Sequence, residues 1–335
     1  MNKHAECQEF SPAVSVVAPC FNEEEVIPQF IERMSEACRC AVGDEYEVIL
    51  INDGSHDSTW SLISAAVRKY KRIVGVNLAR NHGHQLALSA GLSLCRGQRV
   101  LIIDADLQDP PELLTDMMAL MNEGYDVVYG QRAGREGETW LKRLTAAAFY
   151  RLLQMLTNVQ IPVDTGDFRL INRRILERLK AMPEQHRFVR GLVAWLGGQQ
   201  VAFPYKREPR FAGKTKYTIG MMIGFAIDAI TGFSVAPLRL VIYIGLLSIV
   251  LASVLGIYVL YSWLVLGTVQ GWTSLMVVIL AFGGIQLFSL AVIGEYIGRT
   301  YMQTKGRPLF LINEVLVHDD AHPELVGYRQ LRDMG

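Results

Sequence analysis

The sequence predicts an α/β fold, with a mostly parallel sheet covered by helices, followed by a pair of membrane-spanning helices. Up to about residue 130, short apolar runs alternate with helical patterns, which is typical of right-handed βαβ units. Further along, the stretch from Leu240 to Gly294 contains no Asp, Glu, Lys or Arg. An uncharged stretch of that length is typical of membrane spans and not of a soluble core.

The composition excludes some classes of protein. Lys plus Arg and Asp plus Glu each total 33, so the chain lacks the basic excess of nucleic-acid-binding proteins, and we expect no nucleic-acid partner. The five cysteines are odd in number and irregular in spacing, which argues against a disulfide framework and against a zinc site. We interpret them as reduced thiols of a cytosolic domain.

Strand and helix patterns alternate in the first part of the chain. Helices are predicted at 58–70 and 85–95, and another begins at Pro110, because proline is tolerated in the first turn of a helix. Beyond them, 138–157 is predicted to be a long helix, and 163–172, with Thr-Gly-Asp at its centre, is expected to be irregular. The apolar runs predict strands at 14–19, 47–51, 73–78, 99–103 and 126–129.

The second part of the chain is predicted to be a membrane hairpin. Segments 240–266 and 272–294 are each long enough to cross the roughly 30 Å hydrocarbon core of a bilayer. Arg239 precedes the first span, and Arg299 and two further basic residues follow the second, so the positive-inside rule places both outer ends in the cytoplasm. We therefore expect an inner-membrane protein whose sheet domain and both termini are cytoplasmic. The predicted divisions are 1–212, the sheet domain; 213–236, a juxtamembrane helix; 237–298, the two spans; and 299–335, a cytoplasmic tail.

Two segments that precede the hairpin allow more than one interpretation. Segment 217–234 is very apolar but holds Asp228, and we interpret it as an amphipathic helix that lies in the membrane interface, with a third span as the alternative. The segment 206–216 is basic. Its Lys and Arg side chains either bind a phosphate group of a substrate or attract the anionic lipids of the leaflet.

Asp104 and Asp106 are the strongest indication of chemistry in the sequence. They directly follow a predicted strand, at positions i and i+2, so their carboxylates project to the same side. Two such carboxylates repel each other, and a divalent cation would relieve the repulsion. Oxygen ligands suit Mg²⁺ or Mn²⁺, and Mg²⁺ commonly combines one or two carboxylates with the phosphates of a substrate. A solvated turn is the alternative for this pair considered alone.

Polar residues also follow the first two predicted strands. Pro-Cys-Phe-Asn-Glu ends the first strand at 19–23, and Asn-Asp-Gly-Ser ends the second at 52–55. Because ligands of open α/β sheets bind beyond the carboxyl ends of the strands, these groups and the Asp104–Asp106 pair are expected on one rim. Together they indicate a site for a nucleoside diphosphate. His82 and His84 flank a glycine before the next helix, and we interpret them as loop residues and not as metal ligands.

Five motifs occur in order along the chain: Pro-x-Phe-Asn-Glu, Asn-Asp-Gly-Ser, Asp-Ala-Asp-Leu-Gln-Asp-Pro-Pro-Glu, Thr-Gly-Asp-Phe-Arg-Leu and Arg-Phe-Ala-Gly-Lys-Thr-Lys-Tyr. Together with the hairpin, they resemble the polyprenyl-phosphate glycosyltransferases, relatives of dolichol-phosphate mannose synthase with a GT-A (Rossmann-like) fold. The resemblance extends over roughly residues 13 to 310 and is nearest to the bacterial polyisoprenyl-phosphate glucosyltransferases with two C-terminal spans. It implies an inverting transfer of a sugar from a UDP- or GDP-sugar to the phosphate of a membrane polyprenol.

The resemblance also implies roles for individual residues. Asp104, Asp106 and Gln108 are similar to the metal and diphosphate cluster of the family, with Mg²⁺ or Mn²⁺ as cofactor. Asp167 matches the acidic residue beside the reacting centre and, with Asp106, is expected to be catalytic. The positions that match nucleoside-binding residues are Pro19, Phe21, Glu23 and Asp53, and those that match cations for the diphosphate or the lipid phosphate are Arg132, Arg207, Arg210 and Lys216.

The chemistry of the implied reaction limits the role of Asp167. A phosphate monoester is largely dianionic near neutral pH, since its second pKa is about 6, so the acceptor needs little help from a general base. We therefore expect Asp167 to position the acceptor or a sugar hydroxyl and to stabilise positive charge on the sugar. Bringing two anions together is the harder step, and it requires the metal and the cations.

Two other functions remain open at the level of sequence. A glycosyltransferase that elongates a lipid-linked saccharide or a polysaccharide would have the same fold, but Asp167 would then act as a true base. A lipid-sugar flippase subunit is disfavoured because the two spans hold no charged residue to line a path. The resemblance to relatives with two spans implies a homo-oligomer, with a tetramer as the expected form, and glycines of the second span, including Gly283 and Gly294, would allow close helix contact.

Overall fold

The structure is a computed structural model that describes residues 11–133, 165–185, 187–209, 231–232, 234–265 and 271–318. The chain divides into two compact units. One unit contains the sheet with its helices and includes the segment that begins at Pro308. The other unit contains the two long apolar helices and lies mainly within Ile219–Arg307.

The sheet has eight strands within the described residues, in the order β7-β5-β6-β4-β1-β2-β3-β8. Four neighbouring pairs are parallel and three are antiparallel, so the predicted α/β class with a mostly parallel sheet is confirmed. The strands are β1 (Val14–Cys20), β2 (Tyr46–Asn52), β3 (Ile73–Leu78), β4 (Arg99–Ile102), β5 (Val127–Arg132), β6 (Thr165–Asn172), β7 (Gln200–Tyr205) and β8 (Ile312–Leu316).

Helices follow most of the strands. A 3₁₀ turn at Pro111–Leu113 precedes one of them, as the prolines predict. The helices of the sheet unit are α1 (Ile27–Val42), α2 (Thr59–Lys69), α3 (His84–Leu94), α4 (Leu114–Asn122), α5 (Arg173–Ala181) and α6 (Val189–Leu196).

The central strands explain where the site lies. Every residue of β1 and of β2 is buried, because helices cover both faces of a parallel sheet, and both strands are therefore nearly continuous apolar runs. In register, Cys20 at the end of β1 pairs with Asn52 of β2, and Asn52 pairs with Asn77 of β3. The loops that follow these three strands consequently leave the sheet at the same edge.

The prediction that segment 163–172 is irregular is wrong for most of the segment. Thr165–Asn172 form β6, which lies antiparallel between β4 and β5. Seven of its eight residues are buried, including Asp167 and Arg169. Acidic and basic residues argue against a buried strand when the sequence is considered alone. They are tolerated here because Asp167 has polar partners on α3 and α6 and Arg169 donates to backbone carbonyls.

A C-terminal strand completes the sheet. Residues of β8 pair antiparallel with β3, with Gly75 opposite Leu316 and Asn77 opposite Glu314. The Ala79 N–H donates to the Leu311 carbonyl and extends this contact. Part of the expected tail at 299–335 is thus a strand that covers the edge of β3, where unpaired backbone groups would otherwise be exposed.

The second unit contains two long helices, α7 (Ala236–Val265) and α8 (Trp272–Thr304). Within them, Ala236–Tyr261 and Val277–Thr304 have mean hydropathies of 2.7 and 2.3 and are long and apolar enough to cross a membrane. α8 continues past the predicted end at 294, where Glu295 and Arg299 form the i, i+4 ion pair at 2.8 Å. Apolar side chains cover both helices and are exposed along most of their length.

Some predictions fall outside the described residues. They are the helix at 138–157, nearly all of the interface helix at 213–236 with its alternative as a third span, and the cations Arg210 and Lys216.

Candidate active site

The loops that follow β1 and β2 are bound to each other by hydrogen bonds. The Asn22 N–H donates to Ser55 Oγ at 3.0 Å, and the His56 N–H donates to Asn22 Oδ1 at 2.9 Å. The Glu23 N–H donates to Thr59 Oγ1 at 2.9 Å. Two of the predicted nucleoside-binding motifs are therefore adjacent on one rim, and Asn22 has the left-handed φ of 52° that this close approach needs.

Asp53 connects a third loop to this pair. The residue is 2% exposed, and its carboxylate accepts the His82 N–H at 2.7 Å and the Gly83 N–H at 2.9 Å. Next to it, Gly54 has a φ of +66°, and a Cβ there would lie 2.5 Å from the Asn81 backbone nitrogen. Asp53 thus holds the loop after β3 in place, while its predicted contact with a nucleoside stays a prediction.

Phe21 lies beside His56, edge to face, with ring centroids 6.4 Å apart. Pro19 is buried in β1, two residues before it. These positions belong to the same rim as Asp53, as the sequence predicts, because β1 and β2 end in register.

The loop after β4 concentrates negative charge. Asp104, Asp106 and Asp109 lie within six residues, and their side chains are 30%, 12% and 0% exposed. Leu107, with a φ of 57°, turns the chain back, so that Asp106 Oδ1 accepts the Gln108 N–H at 3.1 Å. Burial, together with repulsion by Asp167, Asp109 and Asp106, raises the pKa of Asp104 to about 6 despite the opposing effect of His84.

Tyr205, which ends β7, and Arg207, two residues later, both contact this loop. The Tyr205 hydroxyl donates to Asp109 Oδ1 at 2.5 Å, and Arg207 Nε lies 3.3 Å from the same oxygen. A terminal nitrogen of Arg207 lies 4.0 Å from Asp106 Oδ2. Asp109 Oδ2 is buried and has no hydrogen-bond partner among the described residues. Asp109 was not assigned from the sequence, although it lies within the Asp-Ala-Asp-Leu-Gln-Asp motif.

Arg132 ends β5 and also faces the carboxylates. Its guanidinium leaves so little room that a Cβ on Gly166 would lie 3.0 Å from it. Burial lowers the pKa of Arg132, but Asp109, Tyr205 and Asp104 outweigh burial and raise the pKa. The structure thus brings Arg132 and Arg207 to the acidic loop, where the sequence predicts cations for a diphosphate.

A backbone contact joins the acidic loop to the segment after β7. The Glu208 N–H donates to the Gln108 carbonyl at 2.9 Å. Arg33 of α1 pairs with Glu112 at 2.8 Å and with Glu208 at 3.1 Å. Glu208, the residue after Arg207, is therefore bound both to the acidic loop and to α1.

Asp167 lies on β6 in a different environment. Its side chain is 10% exposed, and Oδ2 accepts from Gln85 Nε2 at 3.0 Å and lies 3.1 Å from His84 Nε2. A terminal nitrogen of Arg190 lies 3.6 Å from Oδ1. Burial raises the pKa of Asp167, but Arg190, His84 and Arg169 more than reverse this and hold it well below its usual range.

His84 lies between the two carboxylate groups. Its Nε2 is 3.5 Å from Asp104 Oδ1 and 3.1 Å from Asp167 Oδ2. Burial lowers the pKa of His84, but Asp104 and Asp167 outweigh burial and raise it to about 9, so the imidazole is protonated at neutral pH. The interpretation of His84 as a loop residue was wrong, since it begins α3 and its Nε2 lies between Asp104 and Asp167, while the expectation that it is not a metal ligand stays a prediction. Gln85 and Arg190 were also missed, because only their tertiary contacts reveal them.

The acidic loop has the chemistry of a divalent-cation site. Its donors are carboxylate oxygens, which suit Mg²⁺ or Mn²⁺. Burial, together with the neighbouring carboxylates, raises the pKa of Asp104, and a bound cation would offset both effects. Within the described residues no group of three His, Cys, Asp or Glu side chains converges as a complete ligand set. Asp104 and Asp106 could therefore supply two ligands, and a bound diphosphate could supply others.

The family assignment rests on the whole chain. The family model described as Glycosyl transferase family 2 matches residues 15–180, and the one described as GtrB C-terminal hairpin matches residues 236–300. An uncharacterized glycosyltransferase, YkcC, of Bacillus subtilis is 44% identical over 307 residues, which cover 90% of this chain and 93% of that protein. Another, sll0501 of Synechocystis, is 42% identical over 303 residues, covering 90% and 95%.

The name of a third relative states an activity. The prophage bactoprenol glucosyl transferase homolog of Escherichia coli is 40% identical over 303 residues, which cover 90% of this chain and 99% of that protein. Identity at this level over nearly the full length of several relatives confirms the predicted GT-A fold and the family resemblance. The chain therefore belongs to glycosyl transferase family 2, as a glycosyltransferase that carries the GtrB C-terminal hairpin.

Proposed function

We propose that the enzyme transfers a sugar, with inversion, from a UDP-sugar to the phosphate of a polyprenyl phosphate in the membrane. One observation carries the proposal: an acidic loop and arginines meet on the sheet rim of a chain that also bears an apolar hairpin. The Escherichia coli relative whose name refers to a bactoprenol glucosyl transferase matches across both of these parts. A donor diphosphate and a lipid phosphate are the pair of substrates that such a rim would serve.

The charges on the rim suit a reaction between two anions. Metal held by Asp104, Asp106 and Gln108 would neutralise the charge that builds on the departing diphosphate. Arg132 and Arg207 lie beside the same loop and can bind phosphate oxygens in bidentate fashion. Arg210 and Lys216, which follow Arg207 in the sequence, are proposed to bind the lipid phosphate.

The nucleoside end of the donor is proposed to lie on the other side of the rim. Phe21 would stack on the base, and Pro19, Glu23 and Asp53 would surround the nucleoside. The hydrogen bonds that join the loops after β1, β2 and β3 support this assignment, because they keep these residues together without a ligand.

Asp167 is proposed to be catalytic as an ionised group. The cations around it hold its pKa well below its usual range, and a carboxylate of low pKa is a poor general base near neutral pH. It would instead accept a hydrogen bond from the sugar and stabilise positive charge at the anomeric carbon as the bond to the diphosphate breaks. This role suits an acceptor that is already an anion.

The membrane placement is supported by the path of the chain. The chain leaves the sheet, passes through α7 and α8 and returns to the sheet as β8. Two crossings bring it back to the side from which it left, and Arg239 and Arg299 flank the spans on that side. We therefore propose an inner-membrane enzyme whose sheet domain and termini are cytoplasmic. Homo-oligomerisation stays a prediction, which cross-linking in intact membranes would test.

The test uses membranes that contain the full-length enzyme, undecaprenyl phosphate and a panel of radiolabelled UDP-sugars. A labelled lipid that mild acid hydrolyses should form with one or a few of them, should need Mg²⁺ or Mn²⁺, and should disappear with EDTA. Membranes with the Asp104→Asn variant are the control. Label that enters polymer without a monosaccharyl lipid would favour chain elongation instead, and the absence of any labelled lipid with every UDP-sugar would refute the proposal.

A further inference from the structure

Gln85, the second residue of α3, makes two hydrogen bonds that join separate parts of the site. Its Nε2 donates to Asp167 Oδ2 at 3.0 Å, and its Oε1 accepts the Val189 N–H at 2.9 Å. The orientation of the amide follows from chemistry, because an ionised carboxylate can only accept and a backbone N–H can only donate. The side chain is therefore a fixed bridge between Asp167 on β6 and the beginning of α6, which lie 82 and 104 residues from Gln85 in the sequence.

The contact with Val189 holds the beginning of α6 in place. The first N–H groups of a helix have no partner inside the helix, and the N-cap residue Phe188 supplies no side-chain acceptor, so Gln85 supplies one at the first residue of α6. The next residue of α6 is Arg190, whose guanidinium lies 3.6 Å from Asp167 Oδ1. One side chain thus holds both Asp167 and the helix that carries a cation of Asp167.

The two carboxylate oxygens of Asp167 are left in different states. Oδ2 faces both Gln85 and His84, whereas Oδ1 is buried and has no hydrogen-bond partner in the part of the chain that the structure describes. Because Oδ1 is inaccessible and faces Arg190 at 3.6 Å, a substrate hydroxyl would meet the carboxylate at the 10% of the side chain that is exposed. A phosphate dianion has no proton to donate, whereas a sugar offers several hydroxyls.

We propose that Gln85 is a positioning residue, which fixes Asp167 and the beginning of α6 so that the Asp167 carboxylate accepts a hydrogen bond from a hydroxyl of the donor sugar. The proposal rests on the role proposed above for Asp167. Gln85 itself touches no substrate, and its effect passes through the Asp167 carboxylate and through Arg190.

Two variants separate the two hydrogen bonds. Gln85→Met has a similar length and removes both of them, and we expect kcat to fall about 10- to 100-fold, as for other partners that orient a functional group, with KM for the UDP-sugar within about two-fold. Gln85→Glu keeps an acceptor for the Val189 N–H but places a carboxylate against Asp167 Oδ2. It should lose at least as much kcat, and parent-like turnover in Gln85→Glu would overturn the proposal.

Gln200→Met is the matched control, since Gln200, the first residue of β7, is also a glutamine and its side chain bonds the C-terminal end of α6. Gln200 Nε2 donates to the carbonyls of Val193 and Gly197 at 3.1 Å and 2.9 Å, away from Asp167. We expect Gln200→Met to keep kcat within about two-fold of the parent while its Tm falls, as for the loss of other helix-end hydrogen bonds. A loss of kcat equal to that of Gln85→Met would mean that destabilising α6 is sufficient, and the positioning role would be refuted.

A double variant tests whether Gln85 acts through Asp167. In an Asp167→Asn background, adding Gln85→Met should lower kcat less than about two-fold further, since residues that act as a unit are not additive. Full additivity would overturn the inference. Parent-like kcat in Asp167→Asn alone would refute the role of Asp167 and with it this proposal, whereas loss in Asp167→Asn but not in Gln85→Met would refute the positioning role alone.

Deoxy analogues of the accepted UDP-sugar identify the hydroxyl. With the analogue that lacks the hydroxyl bound by Asp167, the ratio of parent to Gln85→Met kcat should fall towards one, while the other analogues keep the full ratio. If every deoxy analogue keeps the full ratio, no sugar hydroxyl depends on this geometry, and the proposal is wrong.

Discussion

Two groups of aspartates lie on the same rim in opposite electrostatic environments. In the loop after β4, burial and repulsion by the neighbouring carboxylates raise the pKa of Asp104 to about 6. On β6, Asp167 is surrounded by Arg190, His84 and Arg169, and its pKa is held well below its usual range. His84 is the group that both carboxylates share, at 3.5 Å and 3.1 Å.

The difference teaches that the neighbours of a residue decide its role more than its type does. Burial and the neighbouring carboxylates disfavour the ionised form of Asp104, and an added divalent cation would offset both effects. The charge of Asp167 is already balanced by the chain itself, which favours a permanently ionised group. Substitutions in the acidic loop and substitutions at or around Asp167 should therefore change turnover by different amounts and change the Tm in opposite directions.

The largest effect is expected from the acidic loop. Asp104→Asn and Asp106→Asn should each lower turnover about 10³-fold, because the charge that holds the metal is removed. In EDTA near neutral pH, Asp104→Asn should have a Tm equal to or above that of the parent, because a carboxyl whose folded-state pKa is raised destabilises the fold when it is ionised. Turnover across a Mn²⁺ titration and thermal unfolding check both outcomes. A parent-like metal dependence in both variants would contradict the assignment.

The opposite change in stability is expected at Asp167. Asp167→Asn should lower kcat about 10²-fold while KM for the UDP-sugar stays near that of the parent. Its Tm near neutral pH should fall, because a depressed folded-state pKa means that the ionised carboxylate stabilises the fold above its unfolded-state pKa of about 3.9. Steady-state kinetics and thermal unfolding test this, and an equal Tm change in Asp104→Asn and Asp167→Asn would break the comparison.

A smaller effect should follow when the cation of Asp167 is neutralised. Arg190→Gln removes the largest favourable interaction of the carboxylate, so the pKa of Asp167 should rise towards its ordinary value. We expect kcat to fall about 10-fold and the loss of activity on the acid side to begin at a higher pH than in the parent. A pH profile of kcat checks this. An unshifted acid limb would show that Arg190 does not control the ionisation of Asp167.

The smallest effect is expected at Asp53, which lies outside both groups. Asp53→Asn leaves one oxygen for two backbone donors, the N–H groups of His82 and Gly83, and should loosen the loop that they belong to. We expect KM for the UDP-sugar to rise about 5- to 10-fold, which corresponds to the roughly 1 kcal/mol of one hydrogen bond. Turnover at saturation should change little, and a large loss of kcat would move Asp53 into the reacting centre.

Much of the fold was predictable from the sequence because its first half is locally consistent. The strands β1 to β4 are buried apolar runs, and each was predicted within a residue or so of its observed bounds. The segment that forms β6 was wrongly predicted, and β7 was not predicted. β6 carries Asp167 and Arg169, and β7 contains Pro204, which argues against a strand in the sequence and is tolerated at the edge of a sheet. Their place in the sheet depends on partners far along the chain, and no local pattern records them.

The residues of the candidate site, like the strands, were predictable from the sequence only in part. The sequence by itself determined the α/β class, the apolar hairpin and the acidic pair at the end of β4, because buried strands, uncharged spans and repelling carboxylates each leave a local pattern. Only the tertiary structure decided that His84, Gln85 and Arg190 surround Asp167. The contacts that bring α3, β6 and α6 together join residues 82 and 104 positions apart in the sequence. Charge acts through space, and distance in space is set by the fold.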